Sequence, residues 1–159
     1  MANGKVDSGM MSDREINLLA KQLGVPNFVG ALADDQLGYL CGYAAWGSVI
    51  NYQSSGEGGT HWVGVCGRAD KHSVLVFDSL GFPPDDRIEE LDYQMTYNDH
   101  RVQSDHSSVC GLYALLFCRH IGMGGTWSKW MALWDTQHDE VGRDRNDQKV
   151  VRMLNSLLA

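Results

Sequence analysis

Cys110 is the residue of this sequence best placed to act as a nucleophile, because it stands where a polar loop meets an apolar segment. The segment from Leu112 to Ile121 contains neither glycine nor proline and is apolar on nearly every face, which predicts a buried central helix that begins at Cys110. Unpaired backbone N–H groups and the positive end of the helix dipole would favour the thiolate of this cysteine over the thiol. Gly111 would keep a side chain from crowding a group that approaches the sulfur. The alternative is a structural role, since free cysteines are among the most buried residues.

A nucleophilic cysteine needs a base, and His61 and Asp78 could supply the base and its orienting group. Residues 61–67 and 73–78 are rich in β-branched side chains and flank a short polar turn, which predicts two antiparallel strands. Because His61 opens the first strand and Asp78 closes the second, the hairpin would bring the imidazole and the carboxylate side by side. In that position a carboxylate can fix the tautomer and the orientation of an imidazole.

Gln103 is a candidate for stabilising the charge that develops when a thiolate attacks a carbonyl group. It precedes Cys110 by seven residues, and its side-chain amide could donate a hydrogen bond to the oxyanion. The backbone N–H of Cys110 would be the second donor. Spacing alone does not decide the matter, because any of the six histidines could meet a cysteine by chance.

The elements that must position these residues can be predicted from periodicity and capping signals. Ser12 and Glu15 form a capping-box pattern ahead of apolar residues at helical spacing, which predicts an amphipathic helix that ends at Gly24. Further patterns predict irregular structure over 25–36, a strand in the second half of 39–52, a helix over 85–94, a short strand over 100–102 and a helix over 145–158. The aromatic stripe of Trp127, Trp130, Met131 and Trp134 indicates packing. The acidic residues Asp139, Glu140, Asp144 and Asp147 are expected to form a solvated face.

Length and composition limit the function classes that need to be considered. A chain of 159 residues is expected to form one domain, here over residues 12–159 behind a loose tail over residues 1–11. No apolar run has the length of a membrane span, and the first residues do not resemble a signal peptide, so a soluble protein is expected. The four cysteines form no CxxC pair and no zinc spacing, so neither a metal site nor a disulfide framework is expected. A net charge of −7 argues against general nucleic-acid binding.

Four short motifs together carry a resemblance to a known family. They are GTHWV at 59–63, FDSLGF at 77–82, VQ at 102–103 and CGL at 110–112. In this order and at this spacing they resemble the adenovirus maturation proteases, the adenain family, within the wider group of SUMO- and ubiquitin-like-protein proteases. The stretch 18–30 also resembles the start of the adenovirus enzymes, so the similarity covers nearly the whole chain and fades after about residue 125.

This resemblance implies a fold, a set of site residues and a function. The fold is α+β, papain-like and adenain-like, with a small mixed or antiparallel sheet packed against the buried central helix and with flanking helices. Cys110 would be the nucleophile, His61 the base, Asp78 its partner, Gln103 the oxyanion donor, and Trp62 a substrate-binding residue beside the groove. The implied function is a monomeric endopeptidase of the virion and the infected cell that cleaves capsid and core precursors after small, glycine-containing sites.

The sequence departs from the adenovirus enzymes in ways that bear on cofactors. Asp78 stands where those enzymes have glutamate, although other members of the wider group use aspartate. The adenovirus enzyme is basic and uses DNA as an activator, whereas this acidic chain gives no reason to expect one. No cysteine lies between Cys66 and Cys110, so an activating peptide would have to bind without a disulfide. The residues themselves indicate no cofactor requirement.

Three alternatives to virion maturation remain open on the sequence. The first is a deconjugating protease for ubiquitin-like proteins, because such substrates also present a terminal Gly-Gly to the same chemistry. The second is an acyltransferase on the same fold. The third is a binding module that has lost catalysis, against which stands the presence of all four candidate residues.

Overall fold

A computed structural model describes residues 11–52, 61–135 and 139–159. Within these ranges, five strands form one sheet: β1 (Phe28–Ala33), β2 (Ala45–Asn51), β3 (Trp62–Arg68), β4 (Ser73–Phe77) and β5 (Gln94–Tyr97). The described residues also contain five α-helices: α1 (Asp13–Leu23), α2 (Asp86–Glu89), α3 (Cys110–Gly122), α4 (Trp127–Met131) and α5 (Glu140–Leu158). Two 3₁₀ helices cover Asp34–Gly42 and Ala69–Lys71. Within the described residues, no helix is long and apolar enough to cross a membrane.

The sheet is mixed and its spatial order follows the chain order from β1 to β5. Strands β2, β3 and β4 pair antiparallel, and the edge strands β1 and β5 each pair parallel with their neighbour. The predicted hairpin is confirmed, and its register pairs Gly64 with Phe77. His61 directly precedes β3 and Asp78 directly follows β4, so both residues lie at the same end of the sheet. This arrangement confirms the α+β fold expected from the sequence.

Helix α3 is the central helix that the apolar segment predicts, and it begins at Cys110 as expected. Its residues from Cys110 to Cys118 are all buried. It lies directly on β3, where a Cβ at Gly64 would come within 2.7 Å of Phe117 Cδ1 and 2.9 Å of the Ala114 carbonyl oxygen. Only glycine at position 64 allows this close approach, so the strand that follows His61 and the helix that begins at Cys110 are held in direct contact.

The remaining helices complete the core largely as the sequence indicates. Helix α1 has the predicted capping box between Ser12 and Glu15, and it ends at Gly24 in the left-handed conformation. Trp130 and Trp134 are buried with their ring centroids 5.1 Å apart. Trp130 also packs edge-on against Phe77 at 5.3 Å. The tryptophan stripe therefore packs the core, as predicted.

Four boundaries differ from the sequence-based expectations. The stretch 25–36 contains β1, whose residues are half-buried on both faces and so show no alternation. The helix expected over 85–94 is the single turn α2, and Asp92 with a φ of 55° separates it from β5. Residues 100–102 form no strand, because the Val102 N–H bonds to the Ser79 carbonyl in a loop instead of a ladder. Helix α5 begins at Glu140 and not at 145.

The end of the predicted tail is part of the core. Met11 is 9% exposed and packs with the buried residues around α3. Residues 1–10 of that tail and the glycine-rich stretch 54–60 lie outside the described residues, so the loose tail stays a prediction there. The single domain over 12–159 also stays a prediction.

We expect Gly64→Ala to lower the free energy of unfolding by about 1–3 kcal/mol, because the added methyl group would push α3 away from β3. Urea denaturation of the variant and the wild type measures this difference. Gly38→Ala is the matched control, since a Cβ at Gly38 meets nothing within 4 Å. Equal stability of both variants would show that α3 does not depend on the close approach at Gly64.

Candidate active site

His61 and Asp78 meet at one end of the sheet, as their positions in the hairpin predict. The His61 Nε2 atom lies 2.8 Å from Asp78 Oδ1, and the Asp78 side chain is 2% exposed. The same carboxylate oxygen accepts a hydrogen bond from the Leu80 backbone N–H at 2.8 Å. Asn98 brackets the Asp78 backbone, since its Oδ1 accepts from the Asp78 N–H and its Nδ2 donates to the Asp78 carbonyl oxygen. Leu80 and Asn98 therefore hold Asp78 in place in addition to its contact with the imidazole.

The pKa of His61 is raised from its ordinary value of 6.5 to about 9. Burial is the largest single influence and acts to lower it, because burial disfavours the charged imidazolium. Hydrogen bonds to Asp78 and Cys110, together with the negative charges of those two groups, outweigh burial. His61 is consequently protonated at neutral pH, with Asp78 on one side of the ring and the Cys110 side chain on another.

Cys110 is the first residue of α3 and is 4% exposed. Its side chain is within hydrogen-bonding reach of His61, which brings the predicted base, orienting group and nucleophile together. Three elements meet here: the start of β3, the end of β4 and the head of α3. The Cys110 side chain thus lies next to the imidazole, at the N-terminal end of a buried helix.

Gln103 is buried close to this group, at 2% exposure. Its Nε2 donates to the Ser107 carbonyl oxygen at 2.9 Å, and its Oε1 accepts from the Ser79 hydroxyl at 2.6 Å. Its backbone N–H donates to the Ser79 carbonyl oxygen. Among the described residues, the hydrogen-bond partners of its side chain are thus Ser79 and Ser107. Its role as an oxyanion donor stays a prediction.

Trp62 lies beside the nucleophile, but it is 5% exposed and not open to solvent. Its indole Nε1 donates to the Met11 carbonyl oxygen at 2.8 Å. A Cβ at Gly111 would lie 3.4 Å from Met11 Sδ and 3.5 Å from Trp62 Cδ1. Met11 and Trp62 thus cover one side of the glycine, and the expectation that Gly111 leaves space for a group approaching the sulfur stays a prediction. Substrate binding by Trp62 stays a prediction.

Two aromatic rings that the sequence analysis does not single out flank the imidazole. Tyr52 and Phe82 meet the His61 ring edge-on, with centroid distances of 5.9 Å and 6.4 Å. Phe82 is 56% exposed, which is unusual for a phenylalanine and places an apolar face at the mouth of the site. The FDSLGF motif contains this residue, but nothing in its periodicity separates it from a turn residue.

Helix α5 supplies a second set of unanticipated contacts, to the segment that carries Gln103. Asn146 Nδ2 donates to the Val102 carbonyl oxygen at 3.1 Å. Asp147 accepts from the Ser104 backbone N–H and, at 2.8 Å, from the Tyr113 hydroxyl. The expectation of a solvated acidic face is therefore wrong for Asp147. A signal for the Asn146 contact exists in the sequence, since this polar residue shares an i, i+4, i+8 row with Val150 and Leu154, where a buried position is expected.

Comparisons with known proteins agree with the resemblance. No protein-family model matches the chain. The protease of porcine adenovirus A serotype 3 is 24% identical over 125 residues, which cover 67% of this chain and 61% of that protein. The protease of bovine adenovirus C serotype 10 is 27% identical over 126 residues, covering 67% and 64%. The chain therefore spans less than two thirds of the length of these curated relatives.

Solved structures show the same fold at low sequence identity. The crystal structure of the ASFV pS273R protease has a TM-score of 0.65 at 14% identity, covering 96% of this chain and 68% of that one. The C-terminal Ulp1 protease domain in complex with Smt3, the yeast ortholog of SUMO, has a TM-score of 0.52 at 14% identity, covering 95% and 80%. The chain thus has the fold of these cysteine proteases, and its sequence is similar to the adenovirus proteases.

The raised pKa of His61 predicts a specific pH dependence of stability. A group whose pKa is higher in the folded state stabilises the protein fully below its unfolded pKa, here 6.5, and loses that contribution as the pH rises through about 9. We therefore expect the difference in unfolding free energy between wild type and His61→Gln to shrink over this pH range. Urea denaturation at a series of pH values measures it. In an Asp78→Asn background most of this pH dependence should disappear. A stability difference between wild type and His61→Gln that stays constant with pH would contradict a raised pKa of His61.

Proposed function

We propose that the chain is a viral-type cysteine endopeptidase that cleaves precursor proteins after small, glycine-containing sites during virion maturation. The observation that carries this proposal is the meeting of His61, Asp78 and Cys110 at the head of a buried helix. Similarity to two adenovirus proteases supports a role as a viral maturation protease. The arrangement matches the requirements of a thiol nucleophile with a positioned base.

The mechanism begins with the proton already on the imidazole, since the pKa of His61 is about 9. The Cys110 thiolate attacks the scissile carbonyl carbon, and the resulting oxyanion accepts hydrogen bonds from the Cys110 backbone N–H and the Gln103 side chain. His61 donates its proton to the leaving amine, and the acyl group stays on sulfur as a thioester. Water then attacks the thioester and gives a proton to His61, the carboxylic acid is released, and the thiolate leaves next to the reprotonated imidazolium, as at the start.

We propose the preference for glycine from the resemblance to the adenovirus proteases. A Cβ at Gly111 would lie in van der Waals contact with Met11 and Trp62, so these two side chains border the chain directly after Cys110. A substrate residue without a side chain meets the smallest steric cost beside them. The assignment of Trp62 to substrate binding rests on the same resemblance.

The remaining features of the proposal concern partners. The substrates are proteins with glycine-rich cleavage sites, the precursors of capsid and core proteins. The enzyme would act as a monomer in the virion and in the infected cell. An activating peptide, if one is required, would bind without a disulfide, and the net charge of −7 does not favour activation by DNA.

A deconjugating protease for ubiquitin-like proteins is the second candidate, because the chain shares its fold with Ulp1. Peptides that end in Gly-Gly before the scissile bond serve both candidates, whereas intact ubiquitin-like proteins serve only the second. We therefore expect the enzyme to hydrolyse glycine-rich peptides. We also expect electrophilic probes built on ubiquitin or SUMO to label Cys110 no faster than the same electrophile on a glycine-rich peptide. A probe that reacts far faster than the peptides would favour deconjugation.

Variants of Cys110 and Gln103 test the chemistry itself. Cys110→Ala should abolish peptide hydrolysis, and Gln103→Ala should lower kcat by about 10²–10³-fold with little change in KM, as loss of one oxyanion donor does. Replacing the glycine before the scissile bond by alanine should lower kcat/KM. Steady-state kinetics on one fluorogenic peptide measures all of these. Residual hydrolysis by Cys110→Ala would assign the activity to another residue.

A further inference from the structure

Asp78 and Ser79 are consecutive residues whose side chains contact two different members of the candidate site. The Asp78 carboxylate contacts the His61 imidazole, and the Ser79 hydroxyl donates to Gln103 Oε1 at 2.6 Å. Both residues are 1% exposed. The Ser79 carbonyl oxygen also accepts from the Gln103 backbone N–H, so this serine holds both the main chain and the side chain of the glutamine.

The contacts of Gln103 leave one orientation for its side-chain amide. A carbonyl oxygen can only accept, so the Ser107 carbonyl requires Nε2 on its side and Oε1 on the other. A hydroxyl can donate or accept, and the Ser79 hydroxyl therefore donates to Oε1. The amide nitrogen carries two hydrogens, of which Ser107 takes one. The second N–H is the group that could donate to an oxyanion.

The backbone around Gln103 and the side chain of Gln103 are held by different residues. Asn146 and Asp147 of α5 bind the backbone at Val102 and Ser104, and they fix the path of the chain on both sides of Gln103. Neither touches the Gln103 amide. The side chain depends on Ser79 and on the Ser107 carbonyl, and of these two only Ser79 contributes a side chain that a substitution can remove.

We infer that Ser79 is a positioning residue for acyl transfer, whose hydroxyl holds the Gln103 amide so that its second N–H is available to the oxyanion. This inference rests on the proposed function, because an oxyanion forms only when Cys110 attacks an acyl carbon. Ser79 touches neither the substrate nor the sulfur. The short turn after β4 thus orients the base through one residue and the oxyanion donor through the next.

Two reactions of Cys110 separate this role from general stabilisation. With p-nitrophenyl acetate, the thiolate attacks the ester carbon, an oxyanion forms and collapses, and p-nitrophenolate leaves as the thioester forms. With chloroacetamide, the sulfur displaces chloride and no oxyanion forms. We expect Ser79→Ala to slow acylation by about 10-fold or more, toward the cost of losing one oxyanion donor, and to leave alkylation unchanged. Rates measured on Cys110→Ala give the background of the other thiols.

Ser48→Ala is the matched control for loss of a buried hydroxyl. Ser48 is fully buried on β2, and its Oγ donates to the Gly30 carbonyl oxygen at 2.6 Å, the same length as the Ser79 bond. We expect this variant to acylate and to alkylate at the wild-type rates. Ser79→Cys, which keeps a weaker donor at the same place, should acylate at an intermediate rate, and it carries the test if Ser79→Ala does not fold.

A double-mutant cycle gives the deciding result. If Ser79 acts through Gln103, Ser79→Ala should add no further loss of acylation in a Gln103→Ala background. Additive losses, or equal slowing of acylation and alkylation, would overturn the inference. Peptide hydrolysis is measured in a separate assay. If the wild type is acylated by the ester but cleaves no peptide, the proposed endopeptidase activity is contradicted and the result on Ser79 still holds. A Cys110 that alkylates in a His61-dependent way but is never acylated would overturn both.

Discussion

The contact between α3 and β3 is the constraint on which the candidate site depends. The nucleophile is the first residue of the helix and the base directly precedes the strand, so the separation of sulfur and imidazole is set by how these two elements pack. At Gly64 the strand backbone lies against Ala114 and Phe117 with no side chain between them. Interiors packed at this density do not deform continuously, and the geometry of the pair is consequently fixed by the core and not by loops.

Burial of charge is the second organising feature. Asp78 is almost completely shielded from water, and a buried carboxylate is costly unless it is paired. Here it receives the Leu80 N–H and the His61 ring, and the imidazole in turn lies next to the sulfur. The negative carboxylate is thus paired with the positive imidazolium. Tyr52 and Phe82 border the ring and limit the access of water, which strengthens each of these interactions.

The parts of the site that depend on local pattern could be predicted from the sequence, and the parts that depend on distant contacts could not. The hairpin that brings His61 to Asp78 and the buried helix that begins at Cys110 are both predicted from periodicity. The positions of the base and of the nucleophile could therefore be predicted. Strands β1 and β5 are short edge strands paired in parallel, for which no hairpin signal exists. Asp147 has the spacing of a surface residue, and only the fold brings it to Ser104.

Met11 joins the first described residues of the chain to the candidate site. Its carbonyl oxygen is bonded to the Trp62 indole, and its side chain lies against Gly111, next to the nucleophile. The first described residue of the chain is therefore anchored beside the candidate nucleophile, so a substitution at Met11 would be felt at Trp62 and at Gly111 together.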